Sequence, residues 1–190
     1  MKTFVVAWLL LLSVVPAAAQ TREKSPPAPN RAETSAQDMP LGQLRLIGTV
    51  RVGQSAPDFT LTSSAGPDRT LSRLKGDWLV LVFAENREDF AALRAVQERL
   101  LDGGTRLYGI CKEKPQRLRS YVEEQRLPFE ILADDTGEIS ALYGFYDWER
   151  RSTTRGFVVV DRRSVVRLAL EGQAPPDQVA DLARFTITGY

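Results

Sequence analysis

The chain has 190 residues, with 25 Lys and Arg against 24 Asp and Glu, no His and a single Cys. That length fits one domain with extensions or at most two small domains, and 43% apolar residues suffice for a sizeable core. The absent His excludes His triads, His proton shuttles and His metal ligands; the lone Cys excludes a Cys-x-x-Cys pair, an intrachain disulfide and a Cys-rich zinc site; and a net charge of +1 argues against a nucleic-acid partner.

Residues 1–19 have the form of a secretory signal peptide. Lys2 gives a positive start, Phe4 to Val15 is apolar but for Ser13, Pro16 breaks the run, and Ala17-Ala18-Ala19 offers small residues before Gln20. The apolar run is 12 residues long, against the roughly 20 that a bilayer-spanning helix needs. A stable span after cleavage is therefore not expected, and the location implied is secreted or periplasmic. Residues 20–43 hold four prolines and few large apolar side chains, too little burial to offset ordering entropy. They are expected to form a flexible linker, leaving 44–190 as the folded domain.

Within 44–190 the elements follow in order. Leu44, Leu46, Thr49 and Val50 suggest a short leading strand. Asp58 to Thr62 alternates in strand fashion, Gly66-Pro67-Asp68 turns, and Arg69-Thr70-Leu71 returns. Ser72 is placed to cap a single turn ending at Gly76. Trp78 to Phe83 is a continuous apolar run, the pattern of a central strand buried on both faces. Asn86 to Leu101 follows a helical period through Phe90, Leu93, Val96 and Leu100, and Gly103-Gly104 ends it. Leu107 to Cys111 is the next strand. A helix opened by Pro115 carries Leu118, Tyr121 and Val122. Phe129 to Leu132 reads as a short strand, and Glu138 to Tyr143 as a short helix ended by Gly144. Phe157 to Val160 and Val165 to Leu170 form a hairpin, and a helix from Pro175 to Phe185 carries Val179, Leu182 and Phe185. Trp78, Phe145, Tyr146 and Trp148 are expected to pack in the core or against loops. Strand–helix–strand alternation followed by a hairpin implies an α/β domain with a mixed central sheet flanked by helices.

Four segments in this order resemble the peroxiredoxin family, the alkyl hydroperoxide reductase/thiol-specific antioxidant (redoxin) branch of the thioredoxin-like fold. Val52-Gly53-Gln54-Ser55-Ala56-Pro57-Asp58-Phe59-Thr60-Leu61 matches the family's V-G-x-x-A-P-D-F-x-L. Leu74-Lys75-Gly76-Asp77 leads into the Trp78 run as the family's L-K-G does. Leu127-Pro128-Phe129, with Asp134 and Tyr143-Gly144, matches L-P-F…D…Y-G. Arg155-Gly156-Phe157 to Asp161, with Arg167, matches R-G-x-F-x-I-D…R. The resemblance covers about residues 50 to 185 and implies a thioredoxin-like domain.

The resemblance also exposes a gap. Family chemistry needs a thiolate in the first turn of the helix after the apolar strand, in the motif P-x-x-x-T-x-x-C, where the helix start and an Arg lower its pKa. Laid on without gaps, the Pro falls on Glu85, the Thr on Asp89 and the Cys on Ala92; a shorter thioredoxin-type loop would place its two Cys at Glu88 and Ala91. Arg155 aligns with the Arg that contacts the sulfur. It is either a polar-ligand contact in a vacated pocket or the partner of Asp89, Glu88 or Glu85. Cys111 stands where the family usually has Ser, beside Lys112 and Lys114. It is either a relocated one-Cys redox centre or a buried strand residue.

The weaker signals also carry two readings. Arg150, Arg151, Arg155, Arg162, Arg163 and Arg167 form either an anionic-partner site or solvated strand ends. Asp134, Asp135 and Glu138 are either metal ligands or capping groups. No cofactor and no metal are expected. The reading is an exported, redox-inactive binding or interaction module whose partner is an unspecified protein or small molecule, with a homodimer left open. The alternative is a one-Cys antioxidant oxidoreductase that uses Cys111.

Overall fold

The computed structural model describes residues 44–46, 49–101 and 104–189. The signal-peptide and linker assignments over 1–19 and 20–43 lie outside the described residues. The leading arm supplies β1, Arg45–Leu46. The first hairpin is β2, Thr60–Ser63, and β3, Asp68–Thr70, closed at Gly66, whose φ of +109° suits glycine alone. Leu71–Arg73 makes one 3₁₀ turn. Ser72 lies inside that turn and does not cap it; its backbone N–H donates to Asp58 Oδ1 at 2.9 Å, so the cap comes from a different segment.

The apolar run becomes β4, Trp78–Ala84, with only Trp78 and Val82 partly exposed. The segment after it departs from the expected α-helix. Arg87–Val96 is 3₁₀, and only Gln97–Leu101 is α-helical (α1). The buried side chains supply the reason: Phe90, Leu93 and Val96 recur every three residues. With three residues per turn they stack along one edge, which a 3.6-residue turn would spread apart. Phe90 is fully buried against β5, Thr105–Cys111, where a Cβ on Gly109 would stand 2.7 Å from its ring.

The remaining elements are α2 (Pro115–Gln125), β6 (Glu130–Ala133), α3 (Glu138–Tyr143), β7 (Tyr146–Asp147), β8 (Ser152–Thr153), β9 (Gly156–Val160), β10 (Val166–Glu171) and α4 (Pro176–Thr188). Eight strands form one sheet in the order β1-β10-β9-β4-β5-β6-β2-β3. β4, β5 and β6 run parallel, while β9 is antiparallel to β4 and β10 to β9. This is the mixed, helix-flanked sheet that the sequence implies.

Alternation along β4 divides the core between the two faces of the sheet. Val80 and Ala84 pack with Phe90, Leu93, Leu118 and Val179 under the 3₁₀ segment, α2 and α4. Leu79, Leu81 and Phe83 pack with Phe59, Tyr143 and Phe145 on the other face. Phe145 is fully buried and stacks on Phe83, ring centroids 4.3 Å apart. Trp148, 75% exposed at the tip of the β7–β8 hairpin, packs edge-on against Tyr146 with ring centroids 4.9 Å apart, the loop packing rather than the core one, whereas Phe185 is 62% exposed. In α4 it is Val179, Ala180 and Ala183 that face the core; Phe185 lies two positions past Ala183, on the opposite side of the helix.

Candidate functional site

The sheet register assembles one corner of the molecule. β4 ends at Ala84, and Phe83 pairs with Gly156 at the start of antiparallel β9. Arg155, one residue before Gly156, therefore stands beside Glu85 and the first turn of the 3₁₀ segment. Gly156 has to lack a side chain, because a Cβ there would meet both the Phe145 ring and the Leu170 carbonyl of β10.

The Arg155 guanidinium grips Asp89 with two hydrogen bonds, Nε to Oδ2 at 2.9 Å and Nη2 to Oδ1 at 3.1 Å. Glu85 Oε2 lies 3.8 Å from the same Nη2. The hydrogen-bonded Asp89 carboxylate raises the Arg155 pKa further, so the group stays charged throughout. Asp89 also accepts from the Asn86 N–H at 3.4 Å, tying the 3₁₀ start to β9. Of the remaining positions in this motif, Glu88 pairs with Arg87 at 3.0 Å, and Ala91 and Ala92 are exposed apolar methyls on the 3₁₀ segment. Asp89, Glu85 and Arg155 are thus brought together, and Ala92 lies one turn beyond with nothing to donate or attack.

Cys111 is held elsewhere. It closes β5 between Ala84 of β4 and Ala133 of β6, in the core layer beneath the 3₁₀ segment, and is 2% exposed. Burial first, then the negative charges of Glu113, Glu88 and Asp134, push its pKa up to about 12. The expected help from its basic neighbours does not arise. Lys112 Nζ instead donates to Tyr146 Oη at 2.9 Å and to the Arg151 carbonyl at 3.0 Å.

That Lys112 contact fixes a feature the sequence reading missed. Tyr146 packs over Gly137, where a Cβ would collide with its ring, and Lys112 holds both arms of the β7–β8 hairpin, at Tyr146 of β7 and at Arg151 just before β8. The hairpin carries Asp147, Arg150, Ser152 and Thr153 to a cleft of about 340 Å³ that Arg155, Glu85, Arg45 and Glu171 also line. The one turn signal is Asp147, whose Oδ1 accepts the Glu149 and Arg150 N–H groups; the tip itself reads Trp-Glu-Arg-Arg, and Arg151 adopts φ +53°.

The other candidates resolve locally. Asp134, 1% exposed, accepts the backbone N–H groups of Ile139 at 3.2 Å and Ser140 at 2.7 Å and so caps α3. Among the described residues no group of three His, Cys, Asp or Glu side chains is arranged to hold a metal ion. The arginine-rich stretch is divided among separate carboxylates, Arg150 with Asp147, Arg155 with Asp89 and Arg167 with Asp161. No helix among the described residues is long and apolar enough to cross a membrane.

Residues 52–169 match the model of the AhpC/TSA family. The chain is 28% identical over 143 residues to the chloroplastic peroxiredoxin Q of Populus jackii, covering 72% of this chain and 67% of that protein. It is 28% identical over 138 residues to peroxiredoxin 2 of Thermoplasma acidophilum, covering 61% of this chain and 64% of that protein. Among solved structures, the peroxidoxin BcpB of Mycobacterium tuberculosis superposes with a TM-score of 0.65 at 22% identity, covering 74% of this chain and 97% of that one, a likeness of fold.

Proposed function

This chain belongs to the AhpC/TSA family, and from that premise we propose that it is an exported, peroxiredoxin-like binding module that has lost thiol peroxidase chemistry. One observation carries the reading. The only thiol, Cys111, is 2% exposed with a pKa pushed up to about 12, while the Arg155 guanidinium is already held by Asp89. A peroxidase of this family needs an accessible thiolate beside a free guanidinium. Here neither is offered, and the position where the family motif puts its Cys holds Ala92. Asp89 would moreover repel a thiolate formed nearby. What remains at the corner is the polar cleft beside Arg155, which serves as the binding surface. Export follows from residues 1–19, and the location is secreted or periplasmic.

A peroxide-consumption assay with thiol titration tests this, on the wild type and on Cys111→Ala. The expected result is no turnover from either protein and a thiol that titrates only after denaturation. Turnover that vanishes with Cys111 would replace this reading with a one-Cys antioxidant enzyme. Export is checked by the N-terminus of the protein recovered from an envelope or medium fraction, expected at Gln20.

A further inference from the structure

The charges that line the cleft balance: Arg45, Arg150 and Arg155 against Glu85, Asp147 and Glu171. One of their three ion pairs differs from the other two. Arg45–Glu171 is closed at 2.7 Å, and Thr154 donates to the other Glu171 oxygen at 3.0 Å. The other two are open. Arg150–Asp147 stands at 3.6 Å and Arg155–Glu85 at 3.8 Å, both longer than a hydrogen bond. Asp89 holds Arg155 through Nε and Nη2, and Asp147 Oδ1 accepts the Glu149 and Arg150 N–H groups, so the open positive group of these pairs is Arg150 and the open negative group is Glu85.

A ligand of a single sign gains little here, since every attraction is matched by a repulsion from the neighbouring member of the pair. A ligand carrying both signs makes charge-assisted hydrogen bonds with the groups left open, its carboxylate on Arg150 and its ammonium on Glu85. The half-buried Ser152 on the same wall adds a hydroxyl. A volume of about 340 Å³ lies at the small end of ligand pockets. We infer that the cleft binds a small zwitterion of amino-acid or dipeptide size. The inference rests on the reading of this corner as a binding surface rather than a thiol site.

Calorimetric titration with L-alanyl-L-alanine tests it, against the same dipeptide blocked at its amine by acetylation or at its carboxylate as the amide. The dipeptide is expected to bind saturably, with each blocked form weaker by roughly tenfold or more. Glu85→Gln and Arg150→Gln, at exposed side chains, are expected to weaken the free dipeptide by a similar factor, and Arg150→Lys to restore part of it. No saturable binding, or a blocked form that binds as well as the free dipeptide, overturns the inference. Peroxide consumption by the same preparation separates the two failures. A null titration from a protein that leaves peroxide untouched sinks the zwitterion alone, and Cys111-dependent turnover sinks the redox-silent reading alone.

Discussion

The Cys111 thiol and the Arg155 guanidinium set the chemistry of this chain by their surroundings. With burial and three nearby carboxylates holding its pKa near 12, Cys111 is neutral at physiological pH, and the thiolate that reacts with disulfides and alkylating agents is scarce. Dithionitrobenzoate at pH 8 is expected to leave the native protein unmodified and to release one equivalent in denaturant. Full reaction of the native protein would show that the strand end opens readily. Cys111→Ser buries a hydroxyl in an apolar layer and is expected to cost about 1–3 kcal/mol, so Cys111→Ala is the cleaner control. The Arg155–Asp89 pair is a different case. Its side chains are 37% and 30% exposed, and solvent screening leaves a pair of that kind worth less than about 1 kcal/mol. Asp89→Ala is thus expected to shift the urea midpoint only slightly while freeing Arg155. A large loss would mean that the pair anchors the 3₁₀ segment to β9.

The 3₁₀ segment and the β7–β8 hairpin shape the corner at the level of elements. Phe90 leads the three-residue repeat and sits in the space that Gly109 leaves open. Gly109→Ala puts a methyl 2.7 Å from that ring and is expected to lower stability by about 1–3 kcal/mol, measured by denaturant unfolding. Phe90→Leu in the same background is expected to recover part of that loss if the clash is the cause. What could be read in advance follows from how local each signal is. The β4 run, the α3 stop at Gly144 and the β9–β10 hairpin are written in length, glycine placement and alternation, and all form. The choice of 3₁₀ over α rested on a shift from a four-residue to a three-residue step, visible in Phe90, Leu93 and Val96 once the two periods are compared. The β7–β8 hairpin was hard to read, because a lone Asp147 marks its turn, the tip lacks Gly, Asn and Pro, and Lys112, which holds it, is distant in sequence. The Arg155–Asp89 contact lay among the alternatives because the two residues sit at fixed places around one strand pair; the cleft did not, since its walls come from four separate segments.

Across the whole molecule, three carboxylates brace the turns and outer strands around the sheet. Asp58 takes the N–H of Ser72, closing the turn that precedes β4. Glu130 of β6 receives Arg69 of β3 through two hydrogen bonds and Ser63 of β2 through another. Asp161 accepts from the Val165 and Arg163 N–H groups and from Arg167, holding the β9–β10 turn. All three pKa values are lowered. For Asp58 the leading cause is the Ser72 backbone hydrogen bond. For Glu130 and Asp161 burial alone would raise the pKa, and the hydrogen bonds outweigh it, chiefly from Arg69 and Ser63 in the first case and from Val165 and Arg167 in the second. A carboxylate held below its unfolded pKa favours the folded state once pH exceeds the unfolded value, and that contribution drains away as pH falls through the folded value. With ordinary values of 3.8 for Asp and 4.5 for Glu, stability from these groups is expected to be complete near neutrality and to fall as pH drops below that range. No His is present to add a step near pH 6. Thermal melts from pH 7 down to acid are therefore expected to be flat and then to decline in one acid limb. Glu130→Gln tests the assignment: it is expected to lower the melting temperature at pH 7, because Arg69 loses its charge partner, and to shallow the acid limb. An unchanged acid limb would mean that the Arg69–Glu130 link adds nothing to the β2–β6 ladder in holding the outer hairpin.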